Sequence, residues 1–303
     1  MRKHTAFTMI ELVFVIVIMG ILGKFGVEFL AKAYNSFIFT KINNELQANS
    51  ASAVEFIASR LQYRIKDSVI ARRTLVGSAP EGLSAVDSTQ DYVVLEWVGY
   101  DNDGYRGQVF NVAAGEYLPT WSGIIDLDAS NANRLISPAT NTVDINTTVG
   151  NLSNSTSSIN DIALYCIGSI NDIATDYGWD GNITKVNAQQ GAMHPVTSNG
   201  VANQFVSSTG TNFTGVTIKE YYKIAWTAYA LVNDGGTLRL IWNYQPWKGE
   251  NYNSLGINRQ SSIIMENVDT FRFKKVGDVM KIQVCVKTSL QETYSLCKEK
   301  TIF

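Results

Sequence analysis

The sequence predicts an α+β protein, a long amino-terminal helix packed on an antiparallel β-sheet domain with a loop-rich insertion. Three observations carry that prediction. Phe7 to Gly23 (FTMIELVFVIVIMGILG) is an almost wholly apolar run with a single acid, Glu11. Beyond it, apolar residues recur at steps of three and four as far as Val69, with no proline before Pro80. From Asp91 onward, runs of β-forming residues are punctuated by Asn, Asp and Gly.

A run of about 20 apolar residues is long enough to cross the hydrocarbon core of a bilayer as a helix. Arg2 and Lys3 precede it and favour a cytoplasmic amino terminus. An ionised carboxylate inside such a segment costs about 2.5 to 3.5 kcal/mol at the helix centre and less near its end. Glu11 therefore calls for a partner, and no cation of this chain stands at a suitable position.

The residues MRKHTA/FTMIE carry a resemblance: a short basic leader, a small residue, then Phe, Thr, two apolar residues and Glu ahead of a hydrophobic helix. This resembles the class III signal of type IV pilins and pseudopilins. The resemblance implies that a prepilin peptidase cuts between Ala6 and Phe7 and methylates the new amino terminus at Phe7. It also implies that Glu11 meets the terminal amine of a neighbouring subunit during assembly, which supplies the missing cation in trans. Ala6 stands where the family usually has Gly. Two plainer readings compete. A conventional secretory signal would be cleaved after its apolar region, where Ala31-Lys32-Ala33 offers a small-x-small pattern, but that region would be long and contain Glu11. A simple single-span anchor explains the length, though neither Glu11 nor the order FTMIE.

The implied organisation is a leader over 1–6, a transmembrane helix over 7–26, its amphipathic continuation over 27–74 and a β-rich domain over 75–303. From Val27 the stripe runs through Leu30, Tyr34, Phe37, Ile42, Leu46, Val54, Ile57, Leu61, Ile65 and Val69. The resulting helix, about 100 Å long at 1.5 Å per residue, matches the lollipop architecture that the resemblance implies. Gly20, Gly23 and Gly26 are its softening points, or close-packing positions between helices in lipid. The cluster Arg60, Arg64, Lys66, Arg72 and Arg73 reads as a solvated helix face, because Glu55 and Asp67 interleave and no stacking platform accompanies it.

Among 303 residues, 25 Lys and Arg against 27 Asp and Glu give a net charge of -2, which argues against a broad electrostatic grip on nucleic acid. Only 17% of residues are charged, which suits an exported β-rich domain better than a cytoplasmic enzyme.

Tyr92 to Tyr100 and Tyr105 to Ala113 flank Asp101-Asn102-Asp103-Gly104, which reads as a hairpin. The same tetrapeptide could open a calcium loop through Asp101 and Asp103, since alternate oxygen ligands converge on a hard cation. It lacks the acid that closes such a loop, so the turn is preferred and no other cofactor is implied. About 126–215 is rich in Asn, Ser, Thr and Gly, with apolar islands at 162–167 and 201–206, and reads as a loop-rich insertion. The segments around Asn146 and Asn182 resemble the extended acidic sequon of bacterial N-glycosylation, in a composition where chance matches are expected.

The clearest strands come last. Tyr221 to Val232 and Thr237 to Tyr244 flank Asn233-Asp234-Gly235-Gly236; Val268 to Lys275 and Val279 to Lys287 flank Gly277-Asp278. Pairing the last strand, about 293–303, with its predecessor around a turn near Gln291 sets Cys285 opposite Cys297, within disulfide reach. An oxidising compartment, implied by the predicted orientation, permits that bond. Cys166 is left as a buried free thiol.

The order of these parts resembles the larger minor pilins and the J-type minor pseudopilins. That implies a subunit in the bacterial inner membrane with its soluble domain in the periplasm, carried to or near a filament tip on the cell surface. The implied partners are the prepilin peptidase, other pilins or pseudopilins, an inner-membrane assembly platform and membrane lipid, in a type IV pilus, type II secretion or DNA-uptake system. The chain reads as no enzyme: His194 is the one imidazole outside the leader, placed in a polar loop, and no triad, zinc spacing or phosphate loop is present. The alternative is a surface adhesin or ligand-binding module, suggested by Trp226, Trp242, Tyr244, Trp247 and Tyr252 if their rings are exposed.

Overall fold

The computed structural model describes residues 8–87, 90–108, 110–111, 114–169, 172–183, 192–209, 212–254, 258–288 and 291–303. It is α+β, and the chain divides into two compact units, Met1–Asn49 and Ser50–Phe303. Helix α1 (Met9–Leu61) begins in the first and ends in the second.

The helix stops short of the residues around Arg73 where the stripe predicted its end. After Leu61 the backbone gives up helical hydrogen bonds for sheet ones: Ile65 N donates to Val98 O at 2.9 Å and Tyr100 N to Tyr63 O at 3.0 Å. The Arg64 guanidinium turns back and donates to Leu61 O at 2.7 Å, satisfying one of the carbonyls that every helix end leaves open. Ile65 and Val69 are buried, as their spacing demanded, but on either side of a single 3-10 turn (Lys66–Ser68) that leads into β1 (Ile70–Arg72).

Around β1 lie β2 (Glu81–Gly82) and β3 (Val94–Tyr100), followed by the single-turn α2 (Asn102–Tyr105) and the small hairpin β4 (Phe110–Asn111) and β5 (Glu116–Tyr117). The predicted hairpin about Asp101–Gly104 does not form. β3 pairs instead with β1 and with β11 (Tyr222–Asp234), over a hundred residues later in the chain. Those pairings bury β3 almost completely, which a solvent-exposed two-strand ribbon could not do.

The segment predicted as a loop-rich insertion is built into the main sheet. It supplies β6 (Asp126–Asn131), β7 (Arg134–Ile136), α3 (Thr142–Leu152), β8 (Ala163–Cys166), β9 (Met193–Thr197) and β10 (Gln204–Ser207). Asn141 caps α3 by accepting from Val143 N and Asp144 N. The polar composition hid this because few apolar residues sufficed: Ile145, Val149, Leu164, Val196 and Phe205 join one core cluster.

β11 is the hub of an eleven-stranded sheet. One of its edges pairs with β3; the other is shared by β8 near its start and by β12 (Thr237–Tyr244) over the remainder. The β11–β12 hairpin forms as predicted, turning at Gly235 and Gly236 with φ of 57° and 85°, the paired left-handed conformation of a type I′ turn. β13 (Gln260–Met265) adds to β12. β11 supplies two cores in succession: Tyr222, Ile224 and Trp226 join one, and beyond a β-bulge between Ala225 and Thr227, Ala228, Ala230 and Val232 join the other.

A separate three-stranded meander closes the chain: β14 (Val268–Val276), β15 (Val279–Thr288) and β16 (Gln291–Ile302). Met280, Ile282, Val284 and Val286 are buried, while Lys281 and Gln283 are half-buried, as the two-residue period of a strand requires. Cys285 pairs in register with Cys297, and the two form a disulfide.

Candidate functional site

The start of α1 is the first place where residue chemistry and structure meet. Ala6 and Phe7 lie outside the described residues. Thr8 precedes the first helical residue, and Glu11 occupies the third position of the helix. Glu11 Oε2 accepts from Thr8 N at 3.0 Å and from Thr8 Oγ1 at 2.9 Å. The order Thr-x-x-Glu is a capping-box signature, legible in the sequence alone. It gives Glu11 an in-chain partner of hydrogen-bond donors, and the positive end of the helix dipole adds to it. Neither neutralises the charge, so a full cation is still wanted.

From Met9 to Leu30 the large apolar side chains of α1 are exposed on all faces, from Ile18 and Val15 at 47% to Met9 at 86%. An 18-residue stretch has a mean hydropathy of 2.3, and none of it is buried. A helix apolar all round, and not covered by its own protein, belongs in lipid or among other helices. By length and composition it can cross a membrane once.

Of the two acids that could open a calcium loop, Asp101 has another duty. Asp101 is buried; its Oδ1 accepts from Gly104 N and its Oδ2 from Trp121 Nε1, each at 3.0 Å. It is the N-cap of α2, a single helical turn in place of the expected hairpin turn. Asp103 is half-buried on the same turn, and among the described residues no three His, Cys, Asp or Glu side chains converge as metal ligands would. Burial pushes the Asp101 carboxyl up to about 6 against those two hydrogen bonds.

The basic cluster is not one solvated face. Arg72 Nε meets Glu96 Oε1 at 2.6 Å in the core, Arg73 pairs with Glu81 through two bonds, and Arg64 is 5% exposed. Only Arg60 remains on the helix, its guanidinium 5.5 Å from the centre of the Phe56 ring. His194 sits in β9 and not in a loop; it is 1% exposed, and among the described residues neither ring nitrogen has a hydrogen-bond partner. Burial lowers its pKa to about 4, so the ring is neutral near pH 7. Cys166 is a buried free thiol, pushed up to about 11 by burial and unreactive for that reason.

Trp226, Tyr244, Trp247 and Tyr252 are buried core rings, which removes most of the aromatic surface behind the adhesin alternative. Trp242 is the exception, half-exposed at the edge of a cleft. Asn146 lies within α3 and accepts from Ile159 N, while Asn182 donates to Asp180. Compared with protein-family models, curated proteins and solved structures, the chain matches none.

Proposed function

We propose that this chain is a minor pilin or pseudopilin subunit that helps initiate or cap a type IV pilus, type II secretion or DNA-uptake filament. The observation that carries the reading is FTMIE, Phe7 to Glu11, at the head of a helix whose apolar surface its own protein leaves uncovered. In this reading a prepilin peptidase cuts between Ala6 and Phe7, and lipid holds residues 9 to about 30 until other pilins take its place against the helix. Glu11, held at the helix start by Thr8, is poised to receive the methylated amine of a neighbour's Phe7.

The subunit acts by helix packing at an inner-membrane assembly platform, with its β-domain in the periplasm, and not by catalysis. The Cys285–Cys297 disulfide supports an oxidising side for that domain. Intact mass and amino-terminal sequencing of the protein from native membranes, with and without the peptidase, test the reading. A chain beginning at methylated Phe7 is expected; a chain beginning at Tyr34, or one keeping Met1 in cells with active peptidase, overturns it.

A further inference from the structure

A cleft of about 440 Å³ opens on one face of the main sheet, bounded by the last turns of α1, the β3–α2 junction and strands β11 to β13. A cross-strand row lines it: Tyr229 pairs with Trp242 and Trp242 with Gln260, with the buried Trp97 opposite Tyr229 on the next strand. Tyr229 stacks on Trp97 with ring centres 5.5 Å apart. Gly99 makes room for it, since a Cβ there would come within 2.6 Å of the Tyr229 ring. Phe56, 39% exposed, and Arg60 form the helix wall. Asn102 and Asp103, both half-buried, complete the lining.

This lining alternates flat aromatic faces with planar hydrogen-bonding groups. Aromatic faces carry negative charge density and attract polarised C–H groups. Amides both give and take hydrogen bonds, carboxylates take them and guanidinium groups give them, so the lining as a whole does both. An apolar helix laid in the cleft would strip water from Asn102, Asp103, Arg60 and Gln260 and offer nothing back. Phosphates and nucleic acids find no excess of cations, because Asp103 balances Arg60 in the lining and Asp101 is buried behind it. A pyranose ring satisfies both requirements, with one C–H face for the rings and hydroxyls around its edge. The volume lies within the usual range for small-ligand sites.

We infer that this cleft binds a neutral or amino sugar of a glycan, with Trp242 as the stacking platform and Gln260, Asn102 and Asp103 as hydroxyl partners. The inference is independent of filament membership, since it concerns only the β-domain and the end of α1. The test titrates the full chain, held in a bilayer nanodisc free of sugar detergents, with chitotriose, maltotriose and cellotriose. Calorimetry and tryptophan fluorescence are the readouts, and an array of neutral, amino and acidic glycans extends the panel. Saturable binding of a neutral or amino glycan is expected, weakened about tenfold or more by Trp242→Ala. Gln260→Ala, a milder change on an edge strand, is expected to weaken it about three- to tenfold. Tyr117→Ala, an exposed ring outside the cleft, is expected to leave it unchanged, and near-ultraviolet dichroism checks that each variant is folded. Absence of binding across the array, preference for acidic glycans, or binding indifferent to both cleft variants overturns the assignment.

Discussion

Arg72 Nε lies 2.6 Å from Glu96 Oε1, and Glu96 is wholly buried in β3. Tyr244 donates its hydroxyl to the other carboxylate oxygen at 2.9 Å, and Arg72 also donates to Ser78 O and Trp179 O. One ion pair thus ties β1, β3, β12 and the loops at Ser78 and Trp179 together. Burial raises the Glu96 pKa while Arg72 opposes it. Removing one partner leaves an uncompensated charge, so Arg72→Met is expected to cost about 3 to 5 kcal/mol. Arg72→Met with Glu96→Leu is expected to recover much of that loss, and thermal unfolding of the three proteins measures both.

Asp101 and His194 oppose each other in acid. With its pKa raised to about 6 in the fold, Asp101 holds a proton that the unfolded chain releases near 3.8. Stability from this group therefore falls as pH rises from about 4 to 6, by up to about 3 kcal/mol. His194, lowered to about 4 from 6.5, does the reverse, because the unfolded chain takes up the proton first. Its contribution is lost as pH falls from about 6.5 to 4, by a similar amount of about 3 kcal/mol. The parent protein is expected to show a shallow profile over this window. Asp101→Asn is expected to expose the acid lability due to His194, and His194→Leu the opposite slope; midpoints of urea unfolding between pH 4 and 7 read both.

The Cys285–Cys297 bond spans a separation of 12 residues, and a loop of that size stabilises the fold by about 3 kcal/mol in the chain-entropy account. Cys285→Ser with Cys297→Ser is expected to lower stability by about that much, and proteolysis is expected to begin in β16. An alkylating reagent should leave Cys166 unmodified in the folded protein and label it after unfolding.

Glu11→Ala is expected to leave the protein stable in membranes yet poor at entering a filament, as measured by its share in sheared filaments against the membrane pool. Thr8→Val removes the hydroxyl bond to Glu11 but keeps the backbone N–H, so only a partial defect is expected. Normal incorporation of Glu11→Ala would refute the ion-pair role.

Local chemistry let the sequence fix several features by itself. An apolar run with one acid sets a membrane-length helix, Gly-Gly and Gly-Asp set two hairpins, and period-two alternation sets the register that brings Cys285 to Cys297. Each needs only neighbouring residues, because the turn dictates which positions face each other. Tertiary structure alone decided the rest. Ile65 and Val69 suit a continued helix stripe, but contact with β3 ended the helix at Leu61 and buried them on either side of a 3-10 turn. Asp101-Asn102-Asp103-Gly104 suits a hairpin, but the pairing of β3 with distant β11 outweighed it. Residues 126–215 look solvated by composition, yet a few apolar side chains carry them into the sheet. His194 reads as a loop residue until β8 and β10 flank it, and Trp242 joins Tyr229 and Gln260 only when three strands align. Long-range pairing buries more surface than any local preference is worth, and the partners it selects are distant in sequence.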